Sequence, residues 1–161
     1  MRALGCMVVR DECDIIELAV RHNLALLDGI AIIDHGSTDG TSEILAALAT
    51  EGLPVFVTPD RNPKFRQKAM INPLVRHAAM TADVDWIFVI DADEFIAAPS
   101  RADLEATLQG LPADRHSILA WPTRITWFGS PLPQYGVPFT PSVEALPTIA
   151  SVRQKVADMP R

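Results

Sequence analysis

Short apolar stretches at residues 4–9, 29–34 and 86–90 each run straight into a polar, acidic loop, with segments of helical periodicity between them. This alternation constrains the chain more than anything else in it. Residues 4–9 lack the polar alternation of a half-exposed strand and suit a strand covered on both faces. Ile15, Leu18, Ala19, His22 and Leu26 then recur at helical spacing over residues 14–27, with Asp14 as the expected N-cap. Ile30, Ile32 and Ile33 favour a second strand, and Thr41 or Ser42 is placed to cap a helix reaching about Thr50. Gly52 and Pro54 end that helix, and residues 55–57 give a third strand. A helical stretch over residues 64–81 contains Pro73, which must start or kink a helix. Residues 86–90 form the clearest strand. Ser100, answered by Asp103, caps a further helix that Gly110 and Pro112 end, and residues 118–121 suit a fifth strand. Repeated β-α-β order predicts an α/β fold: a mainly parallel sheet with helices on both faces.

The 161 residues are the size of one ordinary domain, and 48% apolar with 21% charged residues excludes a disordered or fibrous chain. A net charge of −6 without any Lys/Arg cluster excludes a duplex nucleic-acid binder driven by counterion release. No apolar run approaches the roughly 20 residues of a membrane helix. Arg10, Asp11 and Glu12 follow the first run at once, which leaves no signal-peptide cleavage region, so a cytoplasmic location is expected. Cys6 and Cys13 alone make neither a disulfide framework nor a four-ligand zinc site. Seven of the thirteen prolines fall within residues 122–161, where Glu144 and Asp158 are the only acids. Such a stretch supplies no central strand, so residues 1–121 are expected to form the α/β domain and residues 122–161 a Pro-rich C-terminal segment.

In an open parallel sheet, ligands bind where loops leave the carboxyl ends of the strands. Those loops are Arg10-Asp11-Glu12, the polar run from Asp34 to Gly40, and Asp91-Ala92-Asp93-Glu94. At a strand end, Asp91 and Asp93 point the same way, roughly 6–7 Å apart. Two ionised carboxylates at that distance repel by roughly 2–3 kcal/mol at an effective dielectric of about 20. A divalent cation reverses that sign, and hard oxygen ligands suit Mg²⁺ or Mn²⁺. A solvated acidic turn has the same spacing, so the pair alone leaves both readings open. The loop from Asp34 to Thr41 matches neither GxGxxG nor GxxxxGK[ST], but its glycines and N–H groups could face an anion. A plain capped βα loop uses the same residues. Lys64, Arg66 and Lys68 are the densest basic spot, suited to diphosphate oxygens or to a solvated helix face. His22 reads as a core or boundary histidine, and His35 lies within the candidate site.

Taken together, these pieces resemble family 2 glycosyltransferases with the GT-A nucleotide-sugar-binding fold. The matching segments are Met7 to Ile16 with its Arg10-Asp11-Glu12 turn, Asp34-His35-Gly36-Ser37-Thr38-Asp39-Gly40-Thr41, Phe65-Arg66-Gln67, and Asp85 to Phe95 with Asp91-Ala92-Asp93-Glu94. They occur in family order over residues 4–96. The resemblance implies nucleotide-sugar binding by Arg10, Glu12, Asp34, Gly36, Ser37, Asp39, Arg66 and Asp91. It implies a Mn²⁺ or Mg²⁺ ion on Asp91 and Asp93, the DxD pair. It further implies transfer of a sugar from a UDP- or GDP-linked donor to an acceptor glycan or other hydroxyl compound, with inversion.

The family places its general base and acceptor pocket after the DxD strand. Here Glu144 and Asp158 are the only acids of the Pro-rich segment, neither lies in a family motif, and the base is not identified. A chain truncated after its nucleotide-binding half, with an incomplete acceptor half, is the corresponding expectation. A nucleotide-sugar-binding fragment without transfer is therefore the alternative function. A DxD phosphohydrolase using Asp91 as nucleophile needs a later Lys and a further acidic pair, and after Asp93 only Lys155 is present. A partner-binding module without ligand is the remaining class.

Overall fold

The computed structural model describes residues 1–109 apart from 63, 65 and 82. Its elements run β1 (Ala3–Val9), α1 (Ile16–Leu24), β2 (Gly29–Asp34), α2 (Thr41–Thr50), β3 (Val55–Pro59), α3 (Gln67–Thr81), β4 (Trp86–Val89) and α4 (Arg101–Gln109). The four strands form one sheet in the order β3-β2-β1-β4, every pair parallel. Val9 stands opposite Asp34, and Cys6 opposite Val89. The chain winds outward from β1 to β3 and returns on the other side of β1. The β1–β4 gap is therefore the topological switch point, where loops part and leave a crevice.

Period-two alternation along β1 divides the core. Met7 and Val9 point to the face where Ile30 and Ile32 meet Ile16, Val20, Leu45, Leu48, Leu104 and Leu108. Leu4 and Cys6 point to the other, against Val75, Ala78 and Ile87. Helices α1, α2 and α4 thus cover one face and α3 the other, as the apolar, unalternating β1 requires.

Two local expectations change. Helix α1 covers Ile16–Leu24 rather than 14–27, and Asp14 does not cap it. The Glu12 carbonyl takes the N–H groups of both Ile15 and Ile16, so the chain enters the helix from a turn already closed. The buried face is Ile16, Ala19, Val20 and Asn23, leaving Leu18 54% exposed, so the stripe is turned by one residue. In α2 neither Thr41 nor Ser42 is the cap. Gly40 holds that position at φ 105°, a region open to glycine, while Asp39 accepts from the Thr41 N–H (3.0 Å) and hydroxyl (2.6 Å). A charged acceptor two residues earlier thus engages the Thr41 hydroxyl that was expected to cap the helix. Of the two places expected for Pro73, the start of a helix and the interior of one, the structure takes the second. Pro73 lies inside α3, where it removes the N–H that would have met the Ala69 carbonyl.

Ser100 and Asp103 form the expected cap of α4, the Asp103 N–H donating to Ser100 Oγ at 3.2 Å. Arg101 then ties α4 to the amino end of the sheet. Its guanidinium donates to the Met1 carbonyl at 2.8 Å, to Asp28 at 2.9 Å and to Glu105 at 2.8 Å, and also reaches the Leu26 carbonyl. Asp28 in turn accepts the Ala3 N–H. Arg101→Met is expected to lower unfolding free energy by about 2 kcal/mol in urea titration, because it removes the donor from two carbonyls and two carboxylates together. An unchanged midpoint would mean that α4 docks through Leu104 and Leu108 alone. The expected fifth strand, the Gly110/Pro112 stop and the boundary after residue 121 lie outside the described residues. No helix among the described residues is long and apolar enough to cross a membrane.

Candidate functional site

The loops after β1 and β2 are laced together. Asp11 Oδ1 accepts the Thr38 N–H at 2.7 Å, and the Asp11 N–H donates to Ser37 Oγ at 3.0 Å. The Glu12 N–H donates to Thr41 Oγ1 (2.8 Å), and the Cys13 N–H to Asp39 Oδ2 (2.9 Å). Asp11 adopts φ 55°, which costs an L-residue roughly 1–2 kcal/mol and is tolerated best by Asp and Asn. These bonds hold it there.

Asp34 anchors this network from below. It is 5% exposed, and its Oδ1 accepts both the Ser37 N–H (3.0 Å) and hydroxyl (2.6 Å), while Oδ2 accepts the Ser42 hydroxyl. Burial pushes its carboxyl up, but these donors outweigh burial and hold it below the usual range. Asp39 is held well below that range too, chiefly by the Thr41 hydroxyl. Both carboxylates therefore carry their charge within the scaffold. His35 is buried beneath the loop with Nδ1 3.3 Å from Asp60, not out on the rim.

Across the switch point lies the turn after β4. Ala92 is buried at 4% exposure, and Ile90 and Ile96 are buried on either side of it, while Asp91 and Asp93 remain exposed. The Glu94 N–H closes the turn on the Asp91 carbonyl (3.1 Å), and Glu94 Oε2 accepts the Asp91 N–H (2.9 Å). Gln67, the first residue of α3, donates Nε2 to Asp91 Oδ1 at 3.0 Å. The start of α3 thus reaches the acidic turn, with Lys64, Arg66 and Lys68 beside it, all exposed. Phe65 is not among the described residues.

The electrostatics are those of crowded anions. Burial and then Asp93 raise the Glu12 carboxyl, with smaller pushes from Asp14, Asp39 and Asp91. Burial and Asp93 raise Asp91. Burial, with Asp91 and Asp93, raises Glu94 despite the Asp91 N–H. Glu12, Asp91 and Asp93, on the loops that follow the adjacent strands β1 and β4, thus sense one another. Arg10 is exposed, its Nε 3.6 Å from Asp11. Among the described residues no three Asp, Glu, His or Cys side chains form a ready metal cage. Two hard carboxylates with unrelieved repulsion fit a Mg²⁺- or Mn²⁺-type ion that takes its other ligands from water and phosphate.

Residues 6–129 match the family model described as glycosyl transferase family 2. The chain belongs to that family. Membership sets aside the phosphohydrolase reading. The described fold of this family 2 chain resembles that of a mannosyltransferase, PcManGT from Pyrobaculum calidifontis, solved with GDP-Man and Mn²⁺. The TM-score is 0.52 at 21% identity, over 67% of this chain and 31% of that one. It also resembles TarS of S. aureus in complex with UDP, with TM-score 0.51 at 17% identity over 68% and 31% of the two chains. A TPR repeat-containing protein of Synechococcus elongatus is 28% identical over 114 residues, which is 71% of this chain and 26% of that protein. The family 2 chain spans less than a third of the length of each.

Gln67, Asn23 and Ser42 are site-shaping residues that the sequence reading missed. Gln67 lay inside a matched segment, and its helix-start position was the available signal. Asn23 was hidden by the misphased α1 stripe, and Ser42 by its expected role as a cap.

Proposed function

We propose that the protein transfers a sugar from a UDP- or GDP-linked donor to an acceptor hydroxyl, assisted by Mn²⁺ or Mg²⁺ and with inversion at the anomeric carbon. The observation that carries this reading is the adjacency of β1 and β4, whose following loops carry Glu12 and the Asp91–Asp93 turn, with Gln67 at the start of α3 bonded to Asp91. Asp91 and Asp93 would hold the cation, which when bound offsets charge building on the departing diphosphate. Gln67 orients Asp91 by occupying one oxygen. Arg66 supplies a fork for phosphate oxygens. Arg10, Glu12, Gly36, Ser37 and Asp39 shape the nucleoside side, with Asp34 acting by fixing the loop. The site occupies the proposed domain of residues 1–121.

Nucleotide-sugar binding without transfer is the second reading. Among the described residues after Glu94, the acids are Asp103 and Glu105, and these are engaged by Ser100 and Arg101, leaving none for a base. Calorimetric titration with UDP and with GDP, each with and without Mn²⁺, tests the shared site. One nucleotide is expected to bind at least about tenfold more tightly with the ion. A folded protein that binds neither would sink both readings. Transfer to an added acceptor separates them.

A further inference from the structure

We propose that His22 and Asn23, at the carboxyl half of α1, are positioning residues that clamp the turn carrying Asp91 and Asp93. The inference rests on the nucleotide–cation reading of that turn but invokes residues outside it. Asn23 has no exposed surface, on a helix face whose other buried members are Ile16, Ala19 and Val20. An amide placed there carries a desolvation cost unless its donors and acceptor are met. One donor and the acceptor are met by the chain just past the turn. Asn23 Nδ2 donates to the Glu94 carbonyl at 2.9 Å, and Asn23 Oδ1 accepts the Ile96 N–H at 3.0 Å. The carboxamide therefore brackets Phe95 as a neighbouring strand would, on a segment outside any helix or strand.

His22 completes the hold. Its Nε2 lies 3.0 Å from the Ile96 carbonyl, which can only accept, so that nitrogen carries the proton. Its ring meets Phe95 edge-on, with centroids 5.2 Å apart at 76°. Three backbone groups of residues 94 and 96 are thus fixed by two adjacent side chains of a helix rooted in the core. Buried Ala92 and Ile96 pin the turn from within, and the Asp91–Glu94 bonds close it. Asp91 and Asp93 are held at the crevice against their own repulsion. Without the clamp, that repulsion is free to splay the turn.

The test compares the full chain with Asn23→Leu and His22→Phe. The first removes both amide bonds at similar volume. The second keeps a ring beside Phe95 at an exposed position and removes only the bond to Ile96. Amide hydrogen exchange of residues 91–96 is expected to quicken about tenfold in Asn23→Leu, with β1 and β2 unchanged. The gain in UDP or GDP affinity conferred by Mn²⁺ is expected to fall about tenfold or more, while metal-free affinity stays the same. His22→Phe is expected to show both effects at several-fold, and carries the test alone if Asn23→Leu does not fold. Wild-type exchange at 91–96, or a wild-type Mn²⁺ gain in a folded variant, overturns the clamp. A parent protein that binds no nucleotide overturns the functional reading instead, and exchange then decides the clamp by itself.

Discussion

Asp93→Asn is expected to weaken Mn²⁺-dependent nucleotide binding by about 100-fold while leaving the folded state as stable as before. The two halves of this result have one cause. Asp93 is exposed and, among the charges near Glu12 and Asp91, is the one that pushes each of them up most. Removing its charge deletes one of two hard ligands, and a loss beyond that of an outer-shell partner, itself about 10- to 100-fold, follows. The same change relieves repulsion in the apo protein, so urea unfolding should shift by no more than about 0.5 kcal/mol, in the stabilising direction. Calorimetry with and without Mn²⁺, beside urea titration, reads both. A variant that binds like the parent in Mn²⁺ would remove Asp93 from the cation site. A variant that unfolds early would show that Asp93 belongs to the scaffold.

The parallel sheet was legible because β1 is apolar at every position, which only a strand covered on both faces tolerates. The rim was legible because each strand ends in loop residues that bury poorly. What the sequence hid is the division of labour among its carboxylates. Asp34, Asp39 and Asp91 read alike in the chain, yet Asp34 is closed off by Ser37 and Ser42, Asp39 by Thr41 and Cys13, and Asp91 stays on the surface. Hydroxyl partners two to eight residues away leave no periodic trace. Asn23 was illegible for another reason. Its partners lie more than seventy residues downstream, and a polar residue beside an apolar stripe reads as solvent-facing until the helix phase is known. Residues Glu144 and Asp158, raised as base candidates, lie outside the described residues.

Asp34→Ala is expected to cost about 3–4 kcal/mol of unfolding free energy, the largest stability loss of any single substitution in the site. The change removes the acceptor for one N–H and two hydroxyls around a buried position, and orphaned donors there retain their full desolvation cost. Ser37 also accepts from Asp11, so the loss spreads into the β1 loop and its strained Asp11. Acid unfolding supplies a second, independent reading. Asp34 lies below its ordinary value in the folded state, so its contribution is complete above the usual carboxylate range and is lost as pH falls through the folded value. Asp39 and Asp28 have the same sign. Glu12, Asp91 and Glu94 are raised, so they penalise the folded state at neutral pH and release that penalty as they protonate. The parent should therefore gain slightly on going from neutral into mildly acidic solution, then lose stability steeply. Asp34→Ala should keep the gain and show a shallower acid limb below about pH 4 in urea titrations. Parallel acid limbs in the two proteins would mean that Asp34 is not the charged anchor of the loop, and that the Ser37 and Ser42 hydroxyls have other partners.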